Sequence, residues 1–332
     1  MATSSSQLNS SFSLYRRCST AVILLIIGLS LSSCGGRSLT PGDPSASSHY
    51  EVKGATRLIE RYAPIFLVEE NQLAFNRPGT AKADRDKDGK IRVTVDNSQP
   101  SLYFEETRFR TPNGSYRNLI YRVHFSEVPP LHLISGHNVG LIFITTLNED
   151  LEPLLYTLVH TCGCYLAFVP TYNLPVEYLP DGWPKKYQRV YGEKLPSFVV
   201  NNSPDNDRPL IVLRSETHRV KDFRIMYDKL QGLVSMKLRP MTELRNLPVG
   251  NITTSFFEED GKRKGYVKGS RKFWERLLIS WWALDPRVGE DKDLGPVEET
   301  GTVFYTSLKP WARWESDLWK FPEFLEYWGW KF

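Results

Sequence analysis

A chain of 332 residues with 41% hydrophobic and 13% aromatic side chains is long enough to bury a full core, which excludes a disordered or low-complexity protein. That length allows one large domain or two small ones. The formal charge is +4 and no basic stripe stands out, so nucleic acid is not an expected partner.

The first element in chain order is an export signal. Arg16 and Arg17 precede an apolar run from Ala21 to Leu31, and Ser32, Ser33 and Cys34 follow it. Such a run has the length of a signal-peptide apolar region and is too short to span a bilayer as a helix. Over residues 14–36 the order of charge, apolar run and Leu-Ser-Ser-Cys resembles the signal of bacterial lipoproteins. The resemblance implies that Cys34 receives a lipid and becomes the new N-terminus. Gly35 stands where lipoproteins kept at the inner membrane carry Asp, which implies the outer membrane, facing the periplasm. Each buried methylene contributes about 0.8 kcal/mol, so two or three acyl chains anchor a protein without a transmembrane helix. An ordinary secretory signal with a chance cysteine is the plainer alternative.

The organisation expected is a signal over 1–33, then Cys34 with a Gly-, Ser- and Pro-rich tether to residue 50. A globular body over 51–332 follows, divisible into a β-rich part, 51–268, and a helical part, 269–332. Processing also changes the cysteine count. Of four cysteines, Cys18 leaves with the signal and Cys34 carries lipid. If an intramolecular disulfide forms in an oxidising envelope, it can then join only Cys162 and Cys164.

Within the body, Arg57 to Leu67 reads as a short helix stopped by Pro64 and leading into a strand. Asp84-Arg-Asp86-Lys-Asp88-Gly89 resembles the first half of an EF-hand-type calcium loop, in which Asp84, Asp86 and Asp88 converge on one hard cation. Val95 stands where that family has a bidentate glutamate, and Ile91 to Val95 reads as a strand. The resemblance therefore does not extend to a helix-loop-helix. A structural calcium in a strand-connecting loop and a plain Asp-Gly turn are both open. Leu102–Phe104 and Arg117–Val128 read as strands from their β-branched and aromatic content. Val139–Leu147 and Leu154–Val169 form a hairpin around Asn148–Pro153.

The second arm of that hairpin carries His160-Thr-Cys162-Gly-Cys164. In a straight strand these three side chains face one way, and alternate Cα atoms lie at the upper edge of disulfide range. Bridging Cys162 to Cys164 needs a bend, which Gly163 permits. The pair can be a labile or structural disulfide, two inert buried thiols, part of a transition-metal site, or a nucleophile activated by His160 or His124. Further ligands for a metal would come from His124, His132 or His137, with His124 placed mid-strand in Arg117–Val128.

Strands follow at Ser197–Asn201, Leu210–Arg214 and Leu233–Leu238, with a hairpin at Ser255–Glu259/Gly265–Lys268. Ser270 then caps a helix whose Phe273, Trp274, Leu277, Leu278, Trp281 and Trp282 form one apolar face. Trp311, Trp314, Leu318, Phe321, Leu325 and Trp328 form a second helical seam, split by Pro322 into two short helices. This tryptophan-rich stretch is expected to close the core against the sheet; an interfacial belt on a membrane is the alternative. The fold class expected is α+β, a largely antiparallel sheet followed by C-terminal amphipathic helices.

Near-neutral charge, many aromatics and no complete catalytic set point to an envelope lipoprotein with a binding or structural domain. Its partners would be the membrane, through Cys34, and another envelope protein, a glycan or a lipid. The alternative is a thiol/disulfide redox or metal-dependent enzyme with Cys162, Cys164 and His160 at its centre.

Overall fold

The longest apolar runs of this chain are hydrophobic at successive residues, the pattern of strands buried on both faces. The computed structural model describes residues 47–54, 56–201, 207–227 and 232–332. The export signal, Cys34 and nearly all of the tether lie outside these described residues.

In chain order, β1 (Ser48–Val52) and β2 (Ile65–Val68) flank one helical turn, α1 (Leu58–Arg61). The folded body thus takes up the last residues of the expected tether. β3 (Thr80–Arg85) and β4 (Ile91–Asp96) form a separate hairpin. β5 (Ser101–Thr111), β6 (Gly114–Val128), β7 (Gly136–Leu147), β8 (Pro153–His160) and β9 (Leu166–Pro170) form an antiparallel meander. A small ribbon of β10 (Tyr187–Val190) and β11 (Glu193–Pro196) follows. β12 (Arg208–Leu213), β13 (Val220–Met226) and β14 (Val234–Pro240) return to the main sheet, and β15 (Leu247–Val249) pairs with β16 (Ile252–Thr254). Three helices come last, α2 (Phe273–Ala283), α3 (Val297–Thr300) and α4 (Phe321–Tyr327).

The main sheet has ten strands in the order β13-β12-β2-β1-β14-β5-β6-β7-β8-β9. Contacts β12–β2, β1–β14 and β14–β5 are parallel. The expected α+β class is therefore corrected. With 42% strand and 16% helix, the chain is a curled, mixed half-barrel sheet with few, short helices. The meander strands are joined by local turns that a sequence reveals. Two of the parallel contacts are made when β14 inserts between β1 and β5, nearly two hundred residues after β1, and no local pattern marks that.

The curl gives the sheet an inner and an outer core. On β6, Leu119, Tyr121, Val123 and Phe125 point inward, while Ile120, Arg122 and His124 point outward. The inner face closes on itself. Phe223 of the edge strand β13 meets Tyr156 of β8 at 5.2 Å and Phe143 of β7 at 6.2 Å between ring centroids. The outer face is covered by β3–β4, β15 and the C-terminal segments, including Phe256, Phe304, Phe324 and Trp330.

The tryptophan-rich stretch divides in two. Leu318, Phe321, Phe324, Leu325 and Trp330 are buried as a core seam. Only α4 of that seam is an α-helix; Pro310–Ala312 is one 3₁₀ turn. The apolar face of α2 is exposed instead. Among the described residues, no helix is long and apolar enough to cross a membrane.

Phe223 is buried and pins the curl, so Phe223→Ala should cost about 3–5 kcal/mol in urea unfolding, as removal of a buried aromatic does. A loss under about 1 kcal/mol would mean that the inner face does not close through this ring.

Candidate functional site

The arm expected as one strand, Leu154–Val169, is broken by a turn over residues 161–165 between β8 and β9. Gly163 makes the break. Its φ is +79°, and a Cβ there would lie 2.1 Å from the carbonyl oxygen of Tyr305. Only glycine satisfies both conditions. The turn is closed by Gly163 N–H donating to the His160 carbonyl at 2.7 Å, and His160 N–H donating to the Tyr165 carbonyl at 3.2 Å.

The bend brings the cysteine Cα atoms to 5.4 Å, and Cys162 and Cys164 are joined as a disulfide. The Cys164 amide donates to Cys162 Sγ at 3.3 Å. Cys162 is buried and Cys164 is partly exposed. A ring nitrogen of His160 and the two sulfurs lie within 4.8 Å of one another. Among the described residues, this is the group of three such side chains close enough to share an ion.

The two cysteines have different surroundings. Cys164 lines an open groove of about 260 Å³, walled by Leu166, Phe168, Gln188, Tyr191 and Trp328. The Tyr191 hydroxyl donates to the Cys164 carbonyl. Residues 166–168 are consecutive and belong to β9, the edge strand of the sheet, so the groove runs along a strand edge.

Behind Cys162 lies a buried polar network supplied by Gly289–Asp293. Lys292 is fully buried; its Nζ donates to the Cys162 carbonyl and sits 4.2 Å from the centroid of the Tyr305 ring. Burial pushes the Lys292 pKa down to about 8. Asp291 accepts from the Thr161 hydroxyl and pairs with buried Lys272 at 3.3 Å. Arg122, buried within the outer core, donates to the Lys292 carbonyl at 3.0 Å and to His124 Nε2 at 2.9 Å. Burial lowers its pKa to about 10. Glu275 of α2 points into the same region, and burial raises its carboxyl pKa.

His160 Nε2 donates to the His218 carbonyl at 3.3 Å, which leaves Nδ1 as the bare nitrogen. Burial, then the charge of Lys272, takes its pKa down to about 3. His218 stacks on Phe125 at 4.0 Å and is likewise lowered to about 3 by burial. His160, His218, Lys272 and Asp291 line a cavity of about 10 Å³, the order of space that one water needs.

The other expected ligands stand elsewhere. His124 faces the outer core. Its Nε2 accepts from Arg122, so its Nδ1 donates to the Val139 carbonyl, and neither nitrogen is free for a metal. His132 and His137 pair with Glu216 and Glu127. Asp84, Asp86 and Asp88 sit at the β3–β4 hairpin. Asp86 Oδ1 accepts the amides of Asp88 and Lys90 at 3.0 and 2.9 Å, and Oδ2 pairs with Arg92. Asp84 pairs with Lys82. This is the bonding of an Asx turn, in which the Asp86 carboxylate is spent on the backbone.

Sequence reasoning missed Lys272, Glu275, Asp291, Lys292 and Tyr305. Gly-Glu-Asp-Lys-Asp reads as a solvated charge run, and its one anomaly is the close flanking by Val288 and Leu294. Comparison with protein-family models, curated proteins and solved structures finds no match for this chain.

Two predictions follow from the geometry. Gly163→Ala should open the turn, leaving Cys162 and Cys164 titratable as free thiols without reductant; an intact disulfide in that variant would contradict the tight packing on Tyr305. The buried histidines are neutral in the folded state and carry depressed pKa values. Their contribution to stability is therefore complete above pH 6.5 and lost as pH falls from 6.5 toward about 3. Urea unfolding should show stability dropping from pH 7.5 to 5.5, by about 1.4 kcal/mol per pH unit for each such histidine at most. A flat profile would mean that these rings are protonated in the fold.

Proposed function

We propose that this protein is a lipid-anchored envelope protein whose Cys162–Cys164 pair exchanges disulfides with an extended polypeptide held in the groove beside β9. The observation that carries the reading is the asymmetry of the pair: Cys164 lines the groove while Cys162 is buried against Lys292. A disulfide that closes only three residues removes little chain entropy, about 1.5 kcal/mol, so stapling the fold is a poor reason for it. The Phe168 carbonyl of β9 already accepts from Gln188 and the Pro170 carbonyl from Val199, so the groove would hold a polypeptide chiefly through the aromatic walls of Tyr191 and Trp328.

The chemistry balances with a dithiol partner. A partner thiolate attacks Cys164 Sγ, the Cys162–Cys164 bond breaks, and Cys162 leaves as thiolate. The Cys164 amide and the ammonium of Lys292 favour that charge. The partner's second thiol then attacks the mixed disulfide, which leaves the partner oxidised by two electrons and this pair as a dithiol. Anchorage through Cys34 would hold the site near other envelope proteins.

The reading is tested by equilibrating the full chain in glutathione buffers and reading alkylation at Cys162 and Cys164 by peptide mass, apart from Cys18 and Cys34. The pair should be reduced at a potential above about −300 mV, the range of exchanging rather than structural disulfides. A pair still oxidised well below that value would overturn the redox reading. Anchorage is tested separately: Cys34→Ala should abolish acyl incorporation, and a lipid found elsewhere on the chain would contradict it.

A second reading is favoured by the 4.8 Å cluster. In the dithiol state, Cys162, Cys164 and neutral His160 offer two soft sulfurs and one imidazole, a set suited to a thiophilic ion such as Zn²⁺ or Cu⁺. Stoichiometric metal on the reduced protein that blocks thiol alkylation would favour it over exchange.

A further inference from the structure

We infer that the exposed face of α2 docks onto the surface of an anionic phospholipid bilayer. Amphipathic helices of folded domains turn their apolar stripe inward. Helix α2 does the reverse. Its buried residues are Glu275 and Ala283, and its Phe273, Trp274, Leu277, Leu278, Trp281 and Trp282 are all exposed, Trp281 by 72%. Glu275 is held inside by close packing: a Cβ on Gly289 would sit 1.8 Å from its carboxylate. The orientation of the helix is thus fixed by the buried network, with the aromatic side left to the outside.

The patch extends past both ends of the helix. At the start, Trp274 Nε1 donates to the Pro130 carbonyl at 3.2 Å, which places the loop with fully exposed Leu131 beside it. At the end, Arg313 donates to the Ala283 carbonyl and brings in the segment bearing exposed Trp311 and Trp314. A contiguous apolar surface of this kind marks an interaction site.

Composition and charge select the bilayer. Tryptophan is the residue most at home where hydrocarbon meets headgroups, because its ring is apolar and its N–H polar. In residues 271–284 and 309–320 the exposed charges are Arg271, Arg276, Lys309 and Lys320, against the single acid Glu315. The other acids of these segments, Glu275 and Asp317, are buried. Within these segments, apolar side chains with flanking cations outnumber the exposed acid and match the headgroup region of an anionic leaflet, the next exposed acids being Glu323 and Glu326 of α4. A second copy would bring the same positive set against itself, which disfavours it as occupant. The inference is independent of the chemistry at Cys162 and Cys164.

The test uses the full chain mixed with vesicles of phosphatidylglycerol and phosphatidylcholine brominated on the acyl chains, which quench tryptophan on contact. The control is Leu277→Glu/Leu278→Glu, which keeps every tryptophan, changes only exposed positions and should unfold at the wild-type temperature. Expected is strong quenching of the wild type, several-fold weaker quenching of the variant, and a loss of quenching when phosphatidylglycerol is omitted. Vesicle pelleting alone is not the readout, since residues 21–31 can insert by themselves. Equal quenching of wild type and variant, or none in vesicle-bound wild type, would overturn the inference. So would sedimentation showing a vesicle-free dimer that the variant dissolves.

Discussion

Gly163 lies directly beneath the carbonyl of Tyr305, too close for any side chain between them. That contact ties the sheet to the C-terminal segment and forces the chain to reverse within five residues. The reversal breaks what would be one long strand into β8 and β9, brings Cys162 and Cys164 together, and leaves Cys162 buried and Cys164 part-exposed at the groove. Tyr305 is held in turn by Lys292 under its ring and by Asp285, which accepts from its hydroxyl at 2.7 Å. The site is thus a consequence of how the last third of the chain is clamped onto the outer face of the sheet.

The clamp is ionic and buried, which is an expensive way to hold a fold. Lys272, Asp291, Lys292, Asp293, Glu290 and Arg122 are all removed from water. Desolvating such groups costs several kcal/mol each, and their mutual attraction offsets this only when the geometry is satisfied throughout. A few atoms remain without a partner among the described residues, including Arg122 Nη1 and Glu275 Oε2. Apolar packing would hold the same segments at lower cost. The network instead sets the Lys292 ammonium against the Cys162 carbonyl, while the Cys164 amide donates to Cys162 Sγ, where a departing thiolate would need it. It also fixes the direction of α2, because Glu275 belongs inside and the helix must then face outward with its tryptophans.

Much of this was legible in the sequence, and the boundary is physical. The β6, β7 and β8 strands, the calcium-loop departure at Val95 and the bend at Gly163 follow from local pattern and backbone sterics. The hairpin of β5 and β6 runs to Thr111 and Gly114, far beyond Leu102–Phe104, because the polar outer residues of β5 hide its strand character. The insertion of β14 between β1 and β5 joins residues with no local relation. His124 looked like a partner for Cys162, but one step of strand alternation places it on the opposite face of the sheet. The α2 stripe reads as core, because amphipathic helices usually turn that face inward; only the burial of Glu275 reverses it. Lys292 and Asp291 carried no periodic signal at all.

The central claim is that the two sulfurs differ, one meeting a partner and the other leaving. The most direct measurement is the rate of mixed-disulfide formation with glutathione disulfide for each lone thiol, in full chains carrying Cys18→Ser/Cys34→Ser together with Cys162→Ser or Cys164→Ser. Cys164, left alone in the first chain, should react many times faster than Cys162 in the second, since it lines the groove while Cys162 is buried. Equal rates, or a faster Cys162, would contradict the assignment of the groove as the place where exchange begins.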